Sequence, residues 1–141
     1  MSDDGYRPLI FVVDDNEVVR KSIVKRLSRE NFVVKDFESG EKVLETLDFE
    51  IPDLVFLDIK MPKLNGLETV KAMNKKGMMT PVVFLTAHKE LVDMSKIKYK
   101  GIISLVTKSL ELEDVVSVAK EAITKRRSLT FWNGGNHARS I

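Results

Sequence analysis

Short apolar runs alternate along the chain with segments in which apolar residues recur every three or four positions. A continuous apolar run between turn signals is typical of a strand buried on both faces, and the three- and four-residue spacing is typical of a helix with one face on a core. The pattern predicts strands at residues 8–13, 32–37, 54–57, 81–85 and 102–106. It predicts a helix after each strand, at residues 16–29, 39–47, 66–76, 88–99 and 110–126.

Alternating strand–helix units imply a parallel sheet with helices on both faces, joined by right-handed crossovers. The predicted fold class is therefore α/β, with a doubly wound sheet of five strands. At 141 residues the chain has the length of a single domain, which we place at residues 7–127. Residues 128–141 match no predicted element, and their Gly134-Gly135 pair indicates a flexible tail or linker.

The composition is typical of a soluble globular protein, with 43% hydrophobic and 31% charged residues. The chain has no cysteine, which excludes disulfides, thiolate metal sites and a cysteine nucleophile. No apolar stretch approaches the roughly 20 residues of a membrane span, and the polar N-terminus is unlike a signal peptide. We therefore expect a cytoplasmic protein with no membrane partner.

The net charge of +2 is too small to indicate nucleic-acid binding. Basic residues crowd the first predicted helix, where we interpret them as a solvated face rather than a binding patch. These residues are Arg20, Lys21, Lys25, Arg26 and Arg29. We expect no direct nucleic-acid contact by this domain.

Polar residues follow four of the predicted strands. The first strand ends on Asp14-Asp15, the third on Asp58, the fourth on Thr86, and the fifth close to Lys108. Because parallel strands end at the same edge of a sheet, these side chains are expected to meet where open parallel sheets bind their ligands. Taken alone, Asp58 is equally well explained as a turn or helix-capping residue, but this convergence favours a functional site.

Three carboxylates in one cleft repel one another, and the repulsion would raise the pKa of at least one of them. A divalent cation resolves the conflict, and hard oxygen ligands with room for waters suit Mg²⁺. Such a metal neutralises phosphoryl oxygens during transfer, while a carboxylate can be the nucleophile that forms an acyl phosphate. Lys108 could pair with Asp58 and then with the phosphoryl group, to which Thr86 could donate a hydrogen bond.

Four short pieces of sequence carry a family resemblance. They are VVDDN at residues 12–16, LDIKMPKLNG at 57–66, LTA at 85–87 and the lysine after the fifth strand. In this order and at this spacing, over residues 9–125, they resemble the receiver domain of two-component response regulators. The resemblance implies a flavodoxin-like sheet with strand order 2-1-3-4-5. It also implies a partner, a histidine kinase or phosphotransfer protein that donates a phosphoryl group.

The resemblance assigns a role to each strand-end residue. Asp58 would be the phosphoacceptor, and Asp15 and Asp58 would bind Mg²⁺ directly together with the backbone carbonyl of Lys60. Asp14 would act at the metal largely through water, while Thr86 and Lys108 would sense the acyl phosphate. The residues that would shape the loop after the acceptor are Met61, Pro62 and Gly66.

The chain departs from the family at two positions. Ser109 stands where the family usually has a proline after the lysine, so we predict either a trans bond with a rearranged loop or a strained cis bond. Leu105 stands where the family usually has the aromatic residue that swings inward on activation. Lys60 and His88 lie two residues after Asp58 and Thr86, at family positions that tune removal of the phosphoryl group by water. For His88, an exposed residue at a helix start is an equally good interpretation.

These residues are also compatible with other functions. Leu105 and Ser109 would also suit a receiver-like interaction or dimerisation module that no longer switches. An aspartyl-phosphate phosphatase would need a second aspartate two residues after Asp58, where this chain has Lys60. The predicted helix at 88–99, the fifth strand and the last helix could form a homodimer surface. No output domain fits after residue 127, so both a single-domain regulator and a receiver from a longer regulator remain open.

Overall fold

The computed structural model describes residues 5–86, 102–107 and 112–135. The strands in this part of the chain are β1 (Leu9–Val13), β2 (Val33–Phe37), β3 (Leu54–Asp58), β4 (Val82–Thr86) and β5 (Ile102–Thr107). The helices are α1 (Glu17–Leu27), α2 (Gly40–Leu47), α3 (Gly66–Lys75) and α4 (Leu112–Gly135). The helix predicted at 88–99 lies outside the described residues.

The strands form one sheet in the order β2-β1-β3-β4-β5, and every neighbouring pair is parallel. Both the fold class and the strand order predicted from the sequence are confirmed. The sheet extends one residue further than predicted on β3, so that Asp58 is itself the last residue of the strand. The backbone of the central strand therefore holds this acid directly.

Alternate residues of the strands supply two separate cores, as the period of two along a strand requires. On one face Ile10 and Val12 of β1 pack with apolar residues of α1 and α4. On the other face Phe11 and Val13 pack with apolar residues of α2 and α3. Both faces of the sheet are covered, which explains why β1, β3 and β4 are continuous apolar runs.

Three of the helices begin at a side chain that caps the first turn. Asn16 accepts a hydrogen bond from the Val19 amide, and Ser39 does the same for the amide of Lys42, as its sequence position predicted. Asn65 begins α3 with a capping box, in which its side chain accepts from the Glu68 amide and the Glu68 side chain accepts from the Asn65 amide. The Asn16 cap lies two residues after Asp14, and the Asn65 cap ends the loop that follows Asp58.

Helix α4 continues to Gly135, so the helix end predicted near Arg126 is wrong, as is the prediction that residues 128–135 match no element. Cations favour the last turn of a helix but do not end it, whereas glycine and proline do. Residues 128–133 contain neither, so nothing in this stretch breaks the helix, which is described as far as Gly135. The domain boundary at residue 127 stays a prediction. Within the described residues no helix combines the length and apolar character that membrane crossing requires.

Candidate functional site

The register of the two central strands brings three acids together. Val13 of β1 pairs with Leu57 of β3, so that Asp14 and Asp58 follow at adjacent positions on the same edge of the sheet. One carboxylate oxygen from each of Asp14, Asp15 and Asp58 lies within 4.8 Å of the other two. Asp14 and Asp58 are buried, with 0% and 1% of their surface exposed, while Asp15 is exposed. The predicted convergence of these three side chains is confirmed.

The loops after the two strands orient the buried carboxylates in the same way. The amide of Asn16 donates a hydrogen bond of 2.9 Å to Asp14 Oδ1, and Asn16 in turn caps α1. The amide of Lys60 donates a hydrogen bond of 3.3 Å to Asp58 Oδ1. In each case an amide two residues further along the chain holds one carboxylate oxygen, which is the local hydrogen bond that aspartate favours at turns.

Helix α3 begins in close contact with the end of β3. The Gly66 amide donates a hydrogen bond of 2.8 Å to the Ile59 carbonyl. A Cβ atom on Gly66 would overlap the carbonyl oxygen of Asp58 and would lie 2.8 Å from the Cα of Ile59. Only glycine allows this approach, and the role predicted for Gly66 in shaping the loop has this physical basis.

The loop between β3 and α3 contains one backbone conformation that is unusual for its side chain. Lys63 has a φ of 63°, in the left-handed region that residues other than glycine, asparagine and aspartate rarely adopt. The loop also borders an open hollow of about 560 Å³. The hollow is lined by Ile59, Lys60, Met61, Pro62 and Asn65.

Arg20 is buried, so the interpretation of every α1 cation as part of a solvated face is wrong for this residue. Only 8% of its surface is exposed, because its guanidinium turns inward between β1 and β2. Nη1 donates a hydrogen bond of 2.8 Å to the Asp14 carbonyl, and Nε donates one of 2.7 Å to Asp36 Oδ2. Sequence reasoning missed this pair, although Arg20 continues the inward stripe of Ile23 and Leu27 at helical spacing.

The Arg20 guanidinium acts on the ionisation of Asp36. Burial raises the pKa of the Asp36 carboxyl, but hydrogen bonds from Arg20 and Lys21 outweigh burial and hold the pKa below its ordinary value. The Lys21 contact is the weaker in geometry, at 3.1 Å from an exposed side chain. Asp36 is therefore an anionic partner for Arg20 over the neutral pH range.

The remaining predicted residues divide into those the structure describes and those it does not. Thr86 ends β4, is 6% exposed, and pairs with Thr107 of β5, the residue before Lys108. Leu105 lies in β5, where its backbone pairs with Phe84. Lys60 is exposed at the start of the β3–α3 loop. The predicted residues outside the described part of the chain are His88, Lys108 and Ser109.

The three acids fit a hard divalent cation. Each supplies a carboxylate oxygen, two of the groups are buried, and the exposed side of the cluster leaves room for water ligands. Oxygen ligands of this kind together with retained waters are the preference of Mg²⁺, whereas softer metals favour the imidazole and thiolate ligands that this cluster lacks. The donor set is thus compatible with magnesium.

The family described as "Response regulator receiver domain" has a sequence profile that matches residues 10–120. The chain belongs to this family. It is therefore a receiver domain of the response-regulator type, which is a signalling domain, and receiver domains bind Mg²⁺ through an acidic cluster of this kind.

Named relatives and solved structures agree with this assignment. The chain is 30% identical over 118 residues to the DNA-binding transcriptional regulator NtrC of Escherichia coli, covering 84% of this chain and 25% of that protein. It is 37% identical over 84 residues to the regulatory protein PhoP of Bacillus subtilis, covering 60% of this chain and 35% of that one. The chain thus spans about a quarter to a third of these regulators.

The fold also matches receivers of known structure. The N-terminal domain of a response regulator/sensory box/GGDEF protein from Carboxydothermus hydrogenoformans is 27% identical, with a TM-score of 0.79 over 86% of this chain and 98% of that one. A CheY-like receiver domain protein from Methanospirillum hungatei is 26% identical, with a TM-score of 0.76 over 85% and 97% of the two chains.

Proposed function

We propose that Asp58 accepts a phosphoryl group from the phosphohistidine of a histidine kinase or phosphotransfer protein. One observation supports this most strongly: a buried carboxylate ends the central strand, and one of its oxygens lies within 4.8 Å of an oxygen of each acid that follows β1. A buried cluster of like charges is costly for folding alone, and functional sites are where such clusters persist. A role of these acids in phosphoryl transfer would explain why the protein keeps such a costly cluster.

The chemistry is a phosphoryl transfer between two nucleophiles. A carboxylate oxygen of Asp58 attacks the phosphorus in line with the phosphorus–nitrogen bond of the donor. A phosphorus–oxygen bond forms, the phosphorus–nitrogen bond breaks, and the imidazole, which carries a proton on its other ring nitrogen, leaves as a neutral group with the bonding electron pair. The product is an acyl phosphate on Asp58, and no redox partner is needed.

Asp14, Asp15 and Asp58 would hold the metal, with the backbone carbonyl of Lys60 as a further ligand and Asp14 acting largely through water. Bound Mg²⁺ would supply charge neutralisation at the phosphoryl oxygens. The chain's own contribution is positioning, because the Asn16 and Lys60 amides already fix one oxygen of each buried carboxylate. The protein catalyses its own modification only in this sense and is otherwise a signalling domain.

The response to phosphorylation would begin at Thr86 and Lys108. Thr86 is buried beside the acceptor strand, and its hydroxyl could donate a hydrogen bond to a phosphoryl oxygen. Leu105 cannot report by rotation of an aromatic ring, so the signal would pass through the loop after Thr86, through the helix predicted at 88–99, or through a dimer contact. Lys60 and His88 would tune the lifetime of the acyl phosphate. For the Lys108–Ser109 bond, which lies outside the described residues, the prediction stays either a trans bond with a rearranged loop or a strained cis bond.

We also propose that this receiver controls a transcriptional output. The relatives NtrC and PhoP are transcriptional regulators, and a receiver that controls such an output without touching nucleic acid itself fits the modest net charge of +2. A homodimer through the predicted 88–99 helix, β5 and α4 is the expected regulatory contact. We also propose a cytoplasmic location without a membrane partner.

Intact-mass spectrometry after incubation with a small phosphodonor tests the proposal. We expect one phosphoryl adduct that requires Mg²⁺ and is absent in Asp58→Asn. No adduct on folded protein at saturating Mg²⁺ would favour the non-switching interaction module. Turnover of phosphomonoesters would instead favour the phosphatase, which Lys60 at the position of the expected second acid argues against.

A further inference from the structure

We infer that Arg20 is a positioning residue for the metal-binding acids, an inference that rests on the proposed Mg²⁺-dependent function. Arg20 does not reach the proposed metal ligands through their carboxylates. It holds the backbone carbonyl of Asp14 with Nη1 at 2.8 Å. The residue thus acts on the turn from which Asp14 and Asp15 project.

Hydrogen bonds link both the amide and the carbonyl group of Asp14 to β2. The Asp14 amide donates a hydrogen bond of 3.1 Å to the Phe37 carbonyl, which continues the β1–β2 ladder by one residue. The Asp14 carbonyl is connected through Arg20 to the carboxylate of Asp36, the neighbour of Phe37. The amide is therefore linked to β2 by a backbone hydrogen bond, and the carbonyl is linked to β2 through the buried guanidinium of Arg20.

Burial makes this bridge a rigid one. Arg20 is 8% exposed and its charge is matched by Asp36, whose side chain is 23% exposed. A charge-assisted hydrogen bond from a planar guanidinium fixes direction as well as distance, which an ammonium group does not. Arg20 also lies in the first turns of α1, where its amide bonds to the Asn16 carbonyl, so the same residue ties the helix start to the acid turn.

This role of Arg20 differs from general packing because it restrains the turn that carries the acids, and a second pair on α1 allows the comparison. The cluster of acids must be held against its own repulsion before the cation binds, and the Arg20 bridge restrains the Asp14 turn against that movement. The second cation–carboxylate pair of α1, Arg26 with Glu30, is also partly buried, with an N–O distance of 2.9 Å. Arg26 lies towards the other end of α1, away from the acids, and provides a matched control.

The test measures Mg²⁺ affinity by calorimetry and the Mg²⁺ dependence of Asp58 phosphorylation by a small phosphodonor. For Arg20→Met we expect about tenfold weaker Mg²⁺ affinity, the lower end of the loss usual for residues that orient metal ligands. The phosphorylation rate at saturating Mg²⁺ should stay within about twofold of wild type, because the ligands themselves remain. Arg20→Lys should restore part of the affinity, and Arg26→Met should bind Mg²⁺ as wild type does.

Wild-type affinity in Arg20→Met, or an equal loss in Arg26→Met, would overturn the inference while leaving the proposed function in place. If Arg20→Met does not fold, Asp36→Asn decides the question, because it removes the carboxylate that orients the guanidinium and should also weaken Mg²⁺ binding. Normal Mg²⁺ affinity in folded Asp36→Asn and Arg20→Lys would then overturn the inference. A wild-type protein that binds no Mg²⁺ would overturn the proposed function and the inference together.

Discussion

Gly66 lies directly against the carbonyl group of Asp58, at the point where β3 ends and the loop to α3 returns. Its amide bonds to the Ile59 carbonyl at 2.8 Å, and an added Cβ would lie 2.8 Å from the Ile59 Cα. The start of α3 therefore supports the backbone of the proposed acceptor. Any side chain at residue 66 must push the two segments apart.

Gly66→Ala should lower the free energy of unfolding by about 1–3 kcal/mol, the usual cost of overpacking, and should also slow phosphorylation of Asp58. The reason is that the displaced atoms are backbone atoms of the acceptor and its neighbour. Urea unfolding and intact-mass time courses measure the two effects.

Gly40→Ala is the matched control, because Gly40 also begins its helix but its added Cβ would meet chiefly the hydroxyl of Thr69. Gly40→Ala should lower stability and leave phosphorylation at the wild-type rate. A Gly66→Ala protein that is phosphorylated as fast as wild type would contradict this account of the loop.

Removing one acid of the cluster should stabilise the metal-free protein. Two unit charges about 4 Å apart in water repel by about 1 kcal/mol, so Asp15→Asn is expected to raise the free energy of unfolding in EDTA by about that amount. The same variant should lose most of the rise in melting temperature that Mg²⁺ produces in wild type. Thermal melts with EDTA and with Mg²⁺ give both numbers. Lower stability in EDTA, with the Mg²⁺ response retained, would argue against a metal site at these acids.

The pair of Arg20 and Asp36 should give a pH-dependent contribution to stability. The pKa of Asp36 in the folded protein is depressed below its ordinary value of 3.8, chiefly by hydrogen bonds from Arg20 and Lys21 that outweigh burial. A depressed carboxyl pKa contributes stability that is complete above the ordinary value and is lost as the pH falls through the folded value. The pair should therefore stabilise fully at neutral pH and fade below about pH 4.

Urea unfolding of wild type and Asp36→Asn between about pH 3 and pH 7 tests this. The difference between the two proteins should be about 1–2 kcal/mol at neutral pH and should shrink towards acid pH. Asp48→Asn, which removes the exposed partner of Lys76, should show a difference of less than about 1 kcal/mol. If the difference between wild type and Asp36→Asn instead grows as the pH falls, the result would contradict the depressed pKa of Asp36 in the folded protein.

The sheet and the acid cluster were predictable because both depend on short-range pattern. A run such as Leu54 to Leu57 can be buried on both faces only in a covered sheet, and parallel pairing then brings Asp14 beside Asp58. The cap at Ser39 was predictable for the same reason, since its partner, the Lys42 amide, lies three residues away.

Arg20 was not identified as buried, because its partner Asp36 lies on strand β2, 16 residues away along the chain. Several cations on one helix look alike in sequence, and which of them turns inward depends on tertiary position. The end of α4 was misjudged for a different reason. Lys125 and Arg126 favour a helix end electrostatically, but they do not break a helix, and residues 128–133 contain no glycine or proline that would break it.

The measurement that tests the central claim most directly locates the phosphoryl group among the three acids. Protein treated with a small phosphodonor and Mg²⁺ is reduced with borohydride, which converts an aspartyl phosphate to homoserine, and the digested peptides are sequenced by mass spectrometry. We predict homoserine at position 58 and unmodified aspartate at positions 14 and 15, with no conversion when Mg²⁺ is withheld. Conversion at Asp14 or Asp15, or none in folded protein at saturating Mg²⁺, would contradict the account.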